Sequence, residues 1–146
     1  MLKAGAAIID ITPPLGIKIS GYFEERMAKD IHDGLSAKSV VLDDGNIKLA
    51  IVVCDLIGAK REYLDGAKQS IYERCGIPPS NVLISCTNTN TGPEIADMGY
   101  GHVLIQKFAD SVQLAENRLT EAELGFEREE EYKPLGNRRF FMKDGT

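Results

Sequence analysis

After Cys86 the chain sets five small polar side chains in a row, Thr87-Asn88-Thr89-Asn90-Thr91, and closes them with Gly92-Pro93. The amides of Asn88 and Asn90 can each donate to and accept from a ligand. They cannot activate a nucleophile, and zinc favours Cys, His and carboxylate over a neutral amide. The same run also reads as a polar turn whose side chains bond nearby backbone. Asp55 ends an apolar run, where strand-end carboxylates often meet ligands, or it is a turn aspartate. His32-Asp33 joins an imidazole to a carboxylate that can orient it. It is a candidate metal ligand or base, or a loop histidine bonded to backbone. Arg138-Arg139 could clamp a carboxylate or phosphate. Neighbours on a strand point to opposite faces, so at most one serves a given site, and Arg138 is taken as the candidate. His102 opens a helix, where a charged imidazole meets the unfavourable dipole end, and reads as structural or exposed.

The elements that must position these groups follow from periodicity. Asn81-Val82-Leu83-Ile84 is a short apolar run bounded by Pro78-Pro79-Ser80, the pattern of a buried strand. The polar run therefore lies at a strand's carboxyl end, where open α/β sheets gather ligands. Residues 4–11 read as a first strand, stopped by Thr12-Pro13-Pro14, since proline cannot donate to a ladder. Residues 17–23 read as extended or looped, and residues 24–29 as solvated. Asp44-Gly45 between residues 39–43 and 47–55 is a hairpin signal. Ala50-Ile51-Val52-Val53 is continuously apolar, which predicts a strand covered on both faces.

Residues 60–75 carry Leu64, Ala67, Ile71 and Cys75 at helical spacing, and Gly76 with Pro78-Pro79 stops the helix. Strand, helix and strand then make a βαβ unit with parallel strands, which brings Asp55 near Thr87–Thr91. Residues 102–119 predict a second helix, with Leu104, Phe108, Val112 and Ala115 on one face. Residues 121–132 alternate and predict a half-buried strand. Residues 137–142 predict another strand, after a turn at Pro134 and Gly136. Lys143-Asp144-Gly145 reads as a hairpin turn without its returning strand, so the chain reads as truncated or as completed by another chain. The expected fold is α/β: one domain over residues 1–146, with a mixed, partly parallel sheet, flanking helices and at least one βαβ unit.

With 146 residues the chain can bury a core without disulfides or metals. A net charge of −5 argues against a general nucleic-acid binder. No run of eighteen apolar residues suggests a membrane span, and the N-terminus lacks a charged-then-apolar leader, so a cytoplasmic location is expected. Cys54, Cys75 and Cys86 are an odd number without a pairing motif. Cys54 and Cys86 read as buried free thiols, or as two soft ligands side by side at a sheet edge if their strands are neighbours. There is no Gly-rich phosphate loop and no nucleophile elbow.

Taken in order, Gly5-Ala-Ala-Ile-Ile-Asp-Ile-Thr-Pro-Pro-Leu15, His32-Asp33, Val41-Leu42-Asp43-Asp44-Gly45, residues 52–58, residues 81–93 and Asn137-Arg138-Arg139 resemble the N-terminal part of the neutral/alkaline non-lysosomal ceramidases. The resemblance implies a zinc-dependent amidase that splits the N-acyl bond of ceramide, with a metal-polarised carbonyl and a metal-activated oxygen nucleophile. It also marks a departure. Where that family has His-Thr-His-Ser-Gly-Pro, this chain has Asn88-Thr89-Asn90-Thr91-Gly92-Pro93. The family's later ligands, a His, a Glu and a Tyr, lie downstream of Thr146. His32 alone remains as a metal-ligand candidate, so the chain is expected to hold no zinc by itself. The candidate ligand-binding residues are His32, Asp55, Asn88, Asn90 and Arg138. The expected partners are a small amphipathic or amide molecule at the strand-end cleft, and a second copy or completing chain. The alternative to a hydrolase is a non-catalytic homologue or fragment that binds at that cleft.

Overall fold

The computed structural model describes residues 1–130, 132, 136 and 142–144. Its main sheet is built from β1 (Lys3–Asp10), β4 (Ser36–Asp43), β5 (Lys48–Cys54), β6 (Val82–Cys86) and β7 (Thr120–Glu121), in the order β6-β5-β4-β1-β7. β5 and β6 run parallel and every other neighbour pair is antiparallel. The parallel pair is joined by α1 (Arg61–Cys75), so the expected βαβ unit is present. A second helix, α2 (Tyr100–Glu116), packs on α1 and against β1 and β4. No helix among the described residues is long and apolar enough to cross a membrane.

Period-two alternation decides which face is buried. Ala7, Ala37, Val41, Ala50, Val52 and Val82 turn toward the helices and are buried with Ala67, Ile71, Leu104, Phe108 and Val112. Two hydroxyls sit in this core, Ser39 and Ser111, and satisfy each other at 2.5 Å. Helix and sheet meet closely at Gly5, where a Cβ would collide with the Ala115 carbonyl oxygen. Any larger residue there must push α2 off β1.

The opposite face corrects the expectation for residues 50–53. Ile51 and Val53 are 39% and 38% exposed, so β5 is covered on one side only. The register lines up Ala6, Val40, Ile51 and Leu83 in one row, with Leu42 beside Leu49 in the next. Ile8 is 67% and Leu83 59% exposed on that same face. Both helices lie on the other side, and nothing among the described residues covers this one.

Two further expectations change. Among the described residues of the strand expected over residues 121–132, pairing is confined to Thr120–Glu121, extended by one bond from Ala122 N–H to the Leu2 carbonyl. Its antiparallel register pairs Lys3 with Glu121, so it runs toward the start of the chain and exhausts its partner strand. Leu124 and Phe126 consequently lie exposed. Residues 17–23, read as extended or looped, and residues 24–29, read as solvated, together contain a small hairpin of β2 (Lys18–Ile19) and β3 (Arg26–Met27). The strand expected over residues 137–142, Arg138 with it, and the turn beginning at Pro134 lie outside the described residues apart from Gly136 and Met142. Lys143 and Asp144 do form a turn.

Candidate functional site

Three loops meet beyond the carboxyl ends of β5 and β6. The polar run leaves β6 with Thr87 N–H donating to the Cys54 carbonyl and Thr89 N–H to the Leu56 carbonyl, both at 3.0 Å. These bonds continue the parallel pairing past the strand ends. The small hairpin docks on the same loop, with Ser20 N–H bonded to the Gly92 carbonyl and Glu94 N–H to the Lys18 carbonyl. The third loop, after β1, is fastened by Ile11 N–H to the Leu35 carbonyl and Leu35 N–H to the Thr12 hydroxyl. The Asp10 carboxylate accepts from the Thr12 hydroxyl and N–H, which holds its pKa below the usual carboxylate value.

These loops enclose a cleft of about 500 Å³, within the range of small-molecule sites. Its apolar lining comes from Leu15, Ile17, Ile19, Ile31 and Leu35, and its polar lining includes Thr12, His32, Asp55, Thr89 and Thr91. The structure thus brings His32 and Asp55 to one cavity. Asn88 and Asn90 belong to the same loop but do not line it. Asn88 takes a left-handed backbone conformation (φ 61°), and Asn90 lies against Gly21. The sequence reading names Asn88 and Asn90 as ligand-binding candidates, whereas Thr89 and Thr91 line the cleft. The signal that would have found them is alternation: Thr87, Thr89 and Thr91 share one parity and the asparagines the other.

Asp55 is tied down by its neighbours. Burial raises its pKa, but bonds from the Ser36 hydroxyl and N–H, with Lys38 and Thr87 nearby, outweigh that and leave it below the ordinary value. It is an ionised acceptor at neutral pH rather than a proton donor. Thr87 and Thr89 share a hydroxyl–hydroxyl bond of 2.7 Å beside it. The His32 side chain is fully exposed, and among the described residues its ionic neighbour is Asp33 at 3.9 Å, beyond hydrogen-bond range. His102 is exposed and meets the Tyr63 ring edge-on.

Zinc, which the sequence resemblance implies, does not fit these donors. Among the described residues no three His, Cys, Asp or Glu side chains gather where one ion could be held. The two positions that the resemblance sets against histidines carry the neutral amides of Asn88 and Asn90, and neither residue lines the cleft. No step through zinc follows from this chain's residues.

No protein-family model matches the chain, and no curated protein matches it by sequence. Solved structures do match in fold. The chain is similar to neutral ceramidase from Pseudomonas aeruginosa, with a TM-score of 0.74 and 19% identity over 81% of this chain and 22% of that one. A ceramidase structure complexed with C2 matches with a TM-score of 0.71, 19% identity, 81% of this chain and 21% of that one. The architecture is therefore a ceramidase-like α/β fold, in agreement with the resemblance read from the sequence. The chain spans about a fifth of the length of those solved chains.

Proposed function

We propose that this ceramidase-like domain binds a small amphipathic amide in the strand-end cleft and does not hydrolyse it alone. The observation that carries this reading is the cleft itself, an apolar pocket of about 500 Å³ edged by Asp55, Thr89 and Thr91. Its aliphatic lining suits a hydrocarbon stem, while the hydroxyls and the ionised carboxylate suit an amide or hydroxyl head. The loss of both family histidines and the exposed, isolated His32 favour binding over metal-assisted hydrolysis. Zinc-dependent cleavage of a ceramide-like N-acyl bond is the second reading. It would need metal ligands that the described residues do not gather.

The test is calorimetric titration with a short-chain N-acyl sphingoid amide, with chelator and with zinc. Saturable binding indifferent to chelator, with no release of fatty acid, supports the first reading. Release of fatty acid dependent on zinc would replace it by the second. Absence of saturable binding under both conditions would reject it.

A further inference from the structure

Cys54 closes β5 and Cys86 closes β6, and the parallel register sets them directly opposite each other. Their sulfurs stand 3.5 Å apart. Adjacent strands keep such α carbons roughly 4.8 Å apart, inside the roughly 4.4–6.8 Å span that a disulfide accepts. A small turn of the two side chains suffices to join them. Cys54 is fully buried, whereas Cys86 lies on the edge strand and is partly exposed. The third thiol, Cys75, ends α1, buried beside the Glu116 carboxylate.

We propose that Cys54 and Cys86 form a reversible dithiol–disulfide couple that exchanges with low-molecular-weight disulfides. The accessible Cys86 reacts first. Its thiolate attacks one sulfur of the small disulfide, that S–S bond breaks, and one small thiolate leaves. The Cys54 thiol, 3.5 Å behind it, then loses its proton and attacks Cys86 Sγ. The mixed disulfide breaks, and the second small thiolate leaves and takes up a proton. Two protein thiols are oxidised to one disulfide while one small disulfide is reduced to two thiols.

Hydrogen bonding supports the division of roles. The bond from Cys54 lowers the Cys86 pKa, and raises that of Cys54 together with burial. Cys75 serves as an internal control, since burial and Glu116 push it up to about 12. The couple also sits one residue before both Asp55 and Thr87, and Thr87 N–H donates to the Cys54 carbonyl. Closing the bond therefore pins the two strand ends that carry one wall of the cleft.

The experiment equilibrates the unaltered chain in glutathione buffers of increasing disulfide content, quenches with acid, alkylates and maps the peptides. The expected result is an intrachain Cys54–Cys86 bond rising through one transition, with Cys75 alkylated throughout and all three thiols restored by dithiothreitol. The Cys54→Ser variant should stop as a stable glutathione adduct on Cys86. Three free thiols in the most oxidising buffer would overturn the proposal. So would glutathione retained on Cys86 of the unaltered chain, or disulfides joining two chains. Should Cys54→Ser fail to fold, peptide mapping of the unaltered chain decides alone.

Discussion

The Asp55 carboxylate holds Ser36 twice through one oxygen, accepting its backbone N–H at 2.9 Å and its hydroxyl at 2.7 Å. The end of β5 is thereby fixed to the start of β4. Leu35, the residue before Ser36, lines the cleft, so this clasp sets the position of a cleft wall.

Protonating Asp55 should loosen the clasp. Its folded pKa lies below 3.8, so the unfolded chain takes up this proton first. The stabilisation is complete above the unfolded value and is lost as pH falls through the lower folded value. Urea unfolding between pH 6 and pH 3, both set as order-of-magnitude limits about the carboxylate range, should show a steeper acid loss for the unaltered chain than for Asp55→Asn. Identical slopes would mean that Asp55 contributes nothing to the pH dependence.

Tyr100 donates its hydroxyl to the Ile11 carbonyl, and both residues are buried. Burial pushes this phenol well above its ordinary pKa, so it remains a donor across the accessible pH range. Tyr100→Phe leaves the carbonyl without this partner and should cost about 1–3 kcal/mol. Thermal or urea unfolding measures it. A loss under about 0.3 kcal/mol would place the bond outside the stabilising set.

Ile31 is half exposed at the cleft, so a charge there should disturb binding more than folding. Ile31→Asp is expected to weaken affinity for the short-chain amide by roughly tenfold or more, since the apolar stem would meet a carboxylate. The unfolding midpoint should hold within about 0.5 kcal/mol. Unchanged affinity would remove this wall from the binding surface.

The sheet face that no described residue covers predicts self-association. Large side chains left open beside one another, among them Val40, Ile51 and Leu83, form an adhesive patch. Leu83→Lys should keep the purified chain a single species at higher concentration by size-exclusion chromatography, with stability within about 0.5 kcal/mol. Equal behaviour of both proteins would show that the face is inert.

How much was legible in the sequence differs between elements. The strand–helix–strand core was readable because Leu64, Ala67, Ile71 and Cys75 carry a clean helical period and Asp44-Gly45 marks a hairpin. The β2–β3 hairpin was not, because each strand has two residues and its place is set by distant bonds, Lys18 N–H to Asp97 and Ser20 N–H to the Gly92 carbonyl. The fate of residues 122–130 depended on β7 pairing with the very start of β1, a register that no local pattern reports. In the site, strand-end reasoning placed Asp55 and the polar run together. It could not see the aliphatic wall, because Ile17, Ile31 and Leu35 meet only after three loops have folded onto one another. Ile51 and Val53 read as buried because apolar composition is the same whether or not a second layer is present.

The most direct test of the binding reading is a ¹H–¹⁵N NMR titration of the chain with the short-chain N-acyl sphingoid amide, in chelator. The account predicts saturable shifts confined to the cleft, at Ile17, Ile31, Leu35, Asp55, Thr89 and Thr91, with α1 unmoved. Shifts confined to the open sheet face, at Val40, Ile51 and Leu83, or no saturable shifts at all, would contradict it.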